Sequence, residues 1–190
     1  MFRRVRHTLV AAVAIAAIAS PAAAQAPTGL MADLIQDVKS VQAKLVSLAK
    51  ATPADKQTWR PGEGVRSTSE VFMHVAADNY FLPHVFGVDP HAATGIVPTD
   101  MATLTAFEKK TTVPDSIVAE LDRSFAHLLA AMSDSSHARL EERVKFFGQD
   151  MSVRQVWLIT TMHLHEHLGQ AIAYARTNGI VPPWSRQSGS

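Results

Sequence analysis

Four long stretches of the sequence repeat apolar residues at steps of three and four, and this spacing most narrowly limits what the chain can fold into. Such a period places the apolar side chains on one face of an α-helix, which is then buried against other helices. In the first stretch, residues 29–51, the repeating positions are Leu30, Leu34, Val38, Val41, Leu45 and Leu48. The pattern predicts an all-α protein.

The other three long helices have recognisable ends. The second opens at 67–70 with Ser-Thr-Ser-Glu, a capping-box sequence. The third starts at Pro114, which the first turn of a helix tolerates, and ends near Asp134. The last begins at Ser152 and ends at 178–179 with Asn-Gly, a pair typical of helix ends. We therefore expect these helices to pack as a four-helix bundle.

Two shorter segments are expected between the long helices. Residues 100–110 predict a short helix with Asp100 as its cap. Residues 140–150 are ambiguous, because Val144 and Phe146 alternate with charged residues, and they favour a short extended piece. Neither segment changes the predicted architecture, which is a single domain over residues 25–190.

The first 24 residues have the features of a secretory signal peptide. Three arginines and a histidine lie within residues 3–7, an uninterrupted apolar run of 11 residues covers 9–19, and three alanines at 22–24 supply a cleavage site before Gln25. The run is too short to span a bilayer, which needs about 20 residues. We therefore expect a periplasmic or secreted protein with no stable membrane anchor after cleavage.

The composition excludes several functions. The chain has no cysteine, which excludes disulfides, cysteine–zinc sites, iron–sulfur clusters and thiolate catalysis. Three of its 18 basic residues and none of its 17 acidic residues lie in the predicted signal peptide, so the remainder has a formal net charge of −2. This charge gives no general basic signal for nucleic acid. The expected partner is a small-molecule substrate or ligand.

The histidines carry most of the functional information. His163 and His167 lie one turn apart on one face of the predicted last helix, at or beside its buried stripe, and can hold one metal ion together. His165, two residues from each, points away from that face. Two histidines do not fill a coordination sphere, so a third must come from another helix. His74 is the best candidate, because it lies on the apolar stripe of the second helix.

Three neutral imidazoles and an open position form the ligand set of a catalytic zinc site, in which bound water is acidified toward neutrality. Asp78 lies one turn after His74 and Glu166 three residues after His163, so either carboxylate can orient a ligand ring or assist the chemistry. The zincin pattern H-E-x-x-H is absent, because Gly169 stands where its second histidine belongs. The remaining histidines beyond residue 24 are interpreted as surface or loop residues: His84, His91, His127 and His137.

Three motifs together are similar to those of a known family. They are Trp-Arg-Pro at 59–61 leading through the capping box to His74, the pattern H-x-x-x-H-x-G-Q at 163–170, and an ending at 174–183 with Tyr-Ala-Arg, Gly and Pro-Pro. On these motifs the chain resembles the DinB-like superfamily, metal-binding four-helix bundles that include the YfiT-type hydrolases. The likeness covers residues 30–185.

The resemblance implies that His74, His163 and His167 hold a divalent metal ion, most often zinc or nickel, and that the protein forms a homodimer. It also implies a metal-dependent hydrolase as the leading function. The superfamily includes thiol-dependent transferases, but their low-molecular-weight thiol cosubstrates are largely cytosolic, which disfavours that role for an exported chain. Two other hypotheses stay open: a non-enzymatic periplasmic bundle that binds a metal or small ligand, and a bundle whose histidines only satisfy its core.

We predict cleavage after Ala24 when the full chain is expressed in a host that exports it. The small residues at 22–24 fit the peptidase, and the apolar run before them is too short to keep the chain in the membrane. The intact mass of the exported protein should correspond to a chain that begins at Gln25. A full-length product retained in the membrane fraction would contradict the prediction.

Overall fold

The computed structural model of the chain describes residues 29–135 and 139–186. Its α-helices are α1 Leu30–Ala51, α2 Thr68–Phe81, α3 Met101–Glu108, α4 Pro114–Asp134 and α5 Val153–Thr177, and two strands, β1 Arg143–Phe146 and β2 Gln149–Ser152, lie between α4 and α5. The predicted signal peptide lies outside the described residues. Among the helices within these residues, none is both long enough and apolar enough to cross a membrane.

Helices α1, α2, α4 and α5 form the predicted bundle, and the all-α fold class is confirmed. Helix α1 packs against α4 and α5, α2 packs against the same two helices, and α3 packs against α2. All four long helices contribute large, fully buried side chains, among them Leu45, Phe72, Phe125 and Trp157. Because burial of one such side chain stabilises the fold by roughly 1.5–3 kcal/mol, the apolar stripes hold the bundle together.

Capping explains where α2 and α5 begin. The Ser67 hydroxyl accepts a hydrogen bond from the Glu70 backbone N–H, and the Glu70 carboxylate accepts one from the Ser67 N–H. Ser152 and Gln155 form the same reciprocal pair at the start of α5. Each pair satisfies N–H groups that a helix start leaves without partners. At its other end α2 stops at Phe81, although apolar residues continue to Val85. Pro83 has no N–H to donate within an α-helix, and the chain continues there as a 3₁₀ segment.

The ambiguous segment 140–150 forms most of a β-hairpin rather than one extended piece. Strands β1 and β2 pair antiparallel, and the two residues between them, Phe147 and Gly148, have φ angles of 45° and 78°. Two positive φ angles are what a type I′ hairpin turn requires. The turn brings the Phe147 ring to 6.1 Å from that of Phe81 at the C-terminal end of α2. The hairpin thereby borders the site described next.

Candidate metal centre

Three imidazole rings from two helices of the bundle meet at one point. His74 comes from α2, and His163 and His167 come from α5. One ring nitrogen of each residue lies within 4.8 Å of the corresponding nitrogens of the other two. The ring centroids are 5.2 Å apart for His74 and His163 and 4.4 Å apart for each pair with His167. The structure thus brings together the three residues that the sequence proposes as metal ligands.

The helical geometry of α5 separates His165 from this cluster. Its side chain is about half exposed, and its Nε2 lies 2.7 Å from Asp37 Oδ2 on α1. His163 and His167 are one turn apart and share a face, whereas a residue two positions away points to the opposite side. Of the three histidines between 163 and 167, only the outer two therefore face His74.

Hydrogen bonds set the tautomers of two of the three rings. The Nδ1 atom of His74 lies 2.8 Å from Glu108 Oε1, and that of His167 lies 2.9 Å from Gln170 Oε1. A carboxylate oxygen and an amide oxygen only accept hydrogen bonds, so each Nδ1 carries the hydrogen. In a neutral ring the lone pair is then on Nε2. Both rings accordingly offer Nε2 as a ligand atom.

The third ring holds a buried nitrogen without a partner. His163 Nε2 has no hydrogen bond within the part of the chain that the structure describes. Asp78 Oδ2 approaches it to 2.7 Å but lacks the alignment of a hydrogen bond. A buried polar atom left unsatisfied costs about 1–3 kcal/mol. A metal ion between the three ring nitrogens would give this atom its partner, so the residues fit such an ion.

Glu108 on α3 supports His74 and was missed by the sequence analysis. Its Oε2 accepts a hydrogen bond from Arg66 Nε at 2.8 Å, and its Oε1 accepts from an Arg66 terminal nitrogen at 3.0 Å as well as from His74. Burial raises the pKa of Glu108, but the hydrogen bonds from His74 and Arg66 outweigh it and bring that pKa to about 2. The carboxylate therefore stays ionised and fixes the orientation of the His74 ring.

One sequence signal could have pointed to Glu108. It lies one turn after Leu104 on the predicted short helix, and both side chains are buried. An acidic residue in line with an apolar position is rarely buried without a partner. Local sequence spacing does not identify the partners of Glu108, because His74 lies 34 residues earlier in the chain and Arg66 lies 42 residues earlier.

A second chain of contacts anchors His167. Gln170, which accepts from His167, donates through Nε2 to the Tyr174 hydroxyl at 3.1 Å, and that hydroxyl donates to the backbone oxygen of Arg66 at 3.2 Å. The Trp59 ring stands edge-on to Tyr174, with centroids 5.2 Å apart. These contacts tie the segment before α2 to α5, and they explain structurally why Trp59, Gln170 and Tyr174 belong to the motifs in the sequence.

The surroundings of His167 keep its ring uncharged. Burial is the main cause that lowers its pKa, and the neighbouring rings of His74 and His163 lower it further, to about 4. The interaction with Gln170 opposes this shift. At neutral pH the ring is therefore unprotonated, which is the state that a metal ligand needs.

A cavity of about 380 Å³ adjoins the three histidines. His74 and His163 line it, together with Asp78, which also lies 3.5 Å from His74 Nε2. His167 is not among the lining residues, so it closes the cluster on the far side. The side chains that line the cavity come from α2, α3, α5 and the hairpin, together with Arg66 just before α2 and Leu82 just after it. A small molecule bound there would reach the ring nitrogens from the Asp78 side.

The two predicted assisting carboxylates lie in different surroundings. Asp78 lies against His163 and His74, as described above. Glu166 is exposed and borders a surface depression beside His165 and Leu34, away from the cavity. Glu166 is three residues after His163, about 60° around the helix, but it falls on the flank of α5 that stays exposed to water instead of the flank that faces α2. Of the two candidates, the structure therefore brings Asp78 alone to the cluster.

The other histidines lie apart from the cluster. His84 and His91 are exposed near the C-terminal end of α2 and in the following loop, as expected. His127 differs from the expectation: it is on α4, half-buried against Tyr80, and burial lowers its pKa. His137 lies outside the described residues.

A comparison with known protein families finds a match. The family model described as the DinB superfamily matches residues 37–171, well over half of the chain. No curated protein matches the chain at a significant level.

Two crystal structures of bacterial proteins have a similar fold. One is a DinB-like protein from Bacillus cereus, with a TM-score of 0.65 and 14% sequence identity over 79% of this chain and 93% of that chain. The other is a DinB-like protein from Bacillus subtilis, with a TM-score of 0.61 and 16% identity over 83% and 99% of the two chains. At these identities the likeness concerns the fold alone.

We predict that single alanine variants of the α5 histidines and His74 fall into two groups after metal loading and dialysis. His74→Ala, His163→Ala and His167→Ala should each lose most of the bound metal, because two imidazoles hold a divalent ion weakly. His165→Ala should keep it, since its ring faces Asp37. Elemental analysis gives the metal content, and circular dichroism checks the fold of each variant. Loss of metal from His165→Ala but not from His163→Ala would contradict this geometry.

We predict that Glu108→Gln weakens metal binding by about 10–100-fold, the usual cost of altering a group that orients a metal-bound histidine. The substitution removes the charge that holds the His74 ring and leaves Arg66 without its ion pair. Glu166→Gln makes the same chemical change on the exposed side of α5 and should leave the affinity unchanged. Competition with a metal-sensitive dye measures both. Equal affinities for the two variants would rule out a positioning role for Glu108.

We predict that the metal-free protein loses stability as the pH falls from about 6.5 to about 4, with His167 as one source. Its pKa is about 4 in the folded state against an ordinary value of 6.5, so between these values the unfolded chain binds more protons, and stability rises with pH. His167→Gln cannot titrate and should show a smaller loss over this range. Urea unfolding with a chelator present, at several pH values, measures the slopes. Identical slopes for the parent and His167→Gln would contradict the assignment.

Proposed function

The chain belongs to the DinB superfamily, and we propose that it is an exported, metal-dependent hydrolase that holds one divalent ion with His74, His163 and His167. One observation carries the proposal: three ring nitrogens within 4.8 Å of one another lie beside a cavity of about 380 Å³. A cluster that only satisfied the core would not need a cavity next to it. The unpartnered His163 Nε2 points to the same conclusion.

The donor set favours zinc or nickel. Three imidazole nitrogens are borderline ligands, which suit these ions better than magnesium or calcium, since the latter prefer oxygen ligands. Asp78 is the nearest oxygen donor, and the chain has no thiolate to offer. When bound, a divalent ion at a site of this type acts as a Lewis acid and lowers the pKa of a coordinated water toward neutrality.

The chain's own residues would prepare the site before any substrate binds. Glu108 and Gln170 fix the rings of His74 and His167 so that each Nε2 faces the centre of the cluster. Arg66 keeps Glu108 ionised and in place through its two hydrogen bonds. Such preorganisation removes the need to reorient these groups during the reaction, which is the usual source of electrostatic rate enhancement.

Asp78 is the residue we assign to proton transfer. Its carboxylate lies on the cavity side of the cluster, 2.7 Å from His163 Nε2 and 3.5 Å from His74 Nε2. In hydrolysis, the oxygen of a water molecule bonds to the acyl carbon, the bond to the leaving group breaks, and one proton moves from the water to the leaving group. Asp78 Oδ2 is placed to accept that proton and return it, a role worth about 10²–10⁴-fold in rate.

Export also supports hydrolysis over thiol transfer. A hydrolase needs only water as its second substrate, which every compartment supplies. The signal-peptide features at residues 1–24 motivate this part of the proposal. They are independent of the metal site, so either part can fail without the other.

We predict that Asp78→Asn lowers kcat/KM by about 100-fold or more while the metal content stays near that of the parent protein, because the substitution removes the proton acceptor but none of the three imidazoles. Asp37→Asn makes the same change beside His165 and should retain full activity. The assay uses the zinc-loaded and nickel-loaded protein against a panel of carboxylic esters, amides and thiol-transfer substrates.

The panel separates the competing functions. Turnover of esters or amides without added thiol supports the hydrolase, and turnover only with a thiol cosubstrate identifies a transferase instead. A protein that holds the metal but turns over no substrate supports the non-enzymatic binder. Asp78→Asn with parental activity would refute the role of Asp78 even if hydrolysis is observed.

A further inference from the structure

We infer that the substrate is a small acyl compound. Its head group bears oxygen and is uncharged or singly anionic, and the rest of the molecule, its body, is an apolar chain or ring. This inference rests on the proposed function. The cavity beside the three histidines has one polar end and one apolar end. A ligand that fills it must match both.

Along the helices that line the cavity, the lining side chains change from polar at one end to apolar at the other. On α2, His74 belongs to the polar end, and Phe81, two turns further along, belongs to the apolar end. On α3 the direction is reversed: Glu108 contacts His74, and Met101 lies two turns before it. The two helices thereby place their polar residues at one end of the cavity and their apolar residues at the other.

The same change occurs on α5, and the hairpin completes the apolar end. His163 lines the polar end, and Ile159, one turn earlier, packs with the apolar residues near Phe81. Phe147 of the hairpin turn also lines the cavity, and its ring lies tilted against that of Phe81. An apolar ligand body placed along Phe81, Ile159 and Phe147 points its other end at the ring nitrogens.

The charges at the polar end limit the head group. Arg66 contributes one positive charge, and Glu108 and Asp78 contribute one negative charge each. With three neutral imidazoles and a divalent ion, the end carries a formal charge of +1. A cationic head would be repelled, whereas a carbonyl, carboxylate or similar oxygen group would be attracted and can bind the ion.

The volume of the cavity and the exposure of its apolar side chains limit the body of the ligand. The volume of about 380 Å³ is close to the lower limit of small-molecule sites, which span roughly 300–1,000 Å³, so the chain or ring is short. Met101 and Phe147 line the cavity and are nevertheless 51% and 68% exposed. An apolar ligand body that covers these two large side chains removes their surface from water, which favours binding.

A chain-length series of alkyl hydroxamic acids tests this inference. They are uncharged in solution and chelate a divalent ion, so one probe examines both ends of the cavity. Calorimetry with the zinc-loaded and the chelator-treated protein should show affinity that rises about fourfold for each added methylene until the cavity is full. Zinc should raise the affinity of every member by a similar factor, because it acts on the head alone.

A matched pair of variants locates the apolar end. Met101→Asp puts a carboxylate at the apolar wall, and as the first residue of α3 it is a position where an acidic side chain favours the helix. It should abolish the chain-length dependence. Met162→Asp makes the same change at an exposed methionine of α5 that borders the other depression, and it should leave the dependence intact.

The two readouts separate the inference from the function on which it rests. If the affinity rises with chain length but is not raised by zinc, the metal site is refuted and the apolar ligand class is supported. Affinity that rises with zinc but is flat with chain length keeps the metal site and overturns the inference. Loss of the chain-length dependence in Met162→Asp as well would also overturn it, because the alkyl chain would then not lie at Met101.

Discussion

The hydrogen bond between His74 Nδ1 and Glu108 Oε1 is the interaction on which the rest of the site depends. It joins α2 to α3 and decides which nitrogen of His74 faces the other two rings. A buried carboxylate would normally take up a proton and lose this hold, because burial disfavours its charge. Arg66 prevents that with two hydrogen bonds. A short helix outside the four-helix core is thus fixed to the bundle by the same contact that orients a ligand ring.

Local periodicity was sufficient for the architecture and for the pairing of the α5 histidines. The steps of three and four that define the apolar stripe of α1 require only the geometry of one helix. The same geometry places His163 and His167 together and sends His165 toward Asp37. The capping residues Ser67 and Ser152 fixed two helix starts for the same reason, since their partners lie three residues away.

The features that the sequence analysis missed depend on contacts between distant segments. Glu108 carries no local mark of its pairing with Arg66, and the hairpin turn at Phe147 needs a partner strand to be recognised. Spacing alone also did not distinguish Glu166 from Asp78 as the assisting carboxylate, because each follows a histidine by about one turn. Only the packing of α2 against α5 separates them, since it buries one side of each helix and leaves the other side in water.

The placement of the three histidines has a mechanical consequence. His74 precedes α3, α4 and the hairpin, and His163 follows them, so an ion held by both would close these elements into one loop. In a chain without cysteine, such an ion would act as a reversible cross-link of the folded state, which it would stabilise according to the concentration of free metal. The closed loop would have to release its ion before the two halves of the bundle could separate. Resistance to proteases would then depend on metal supply.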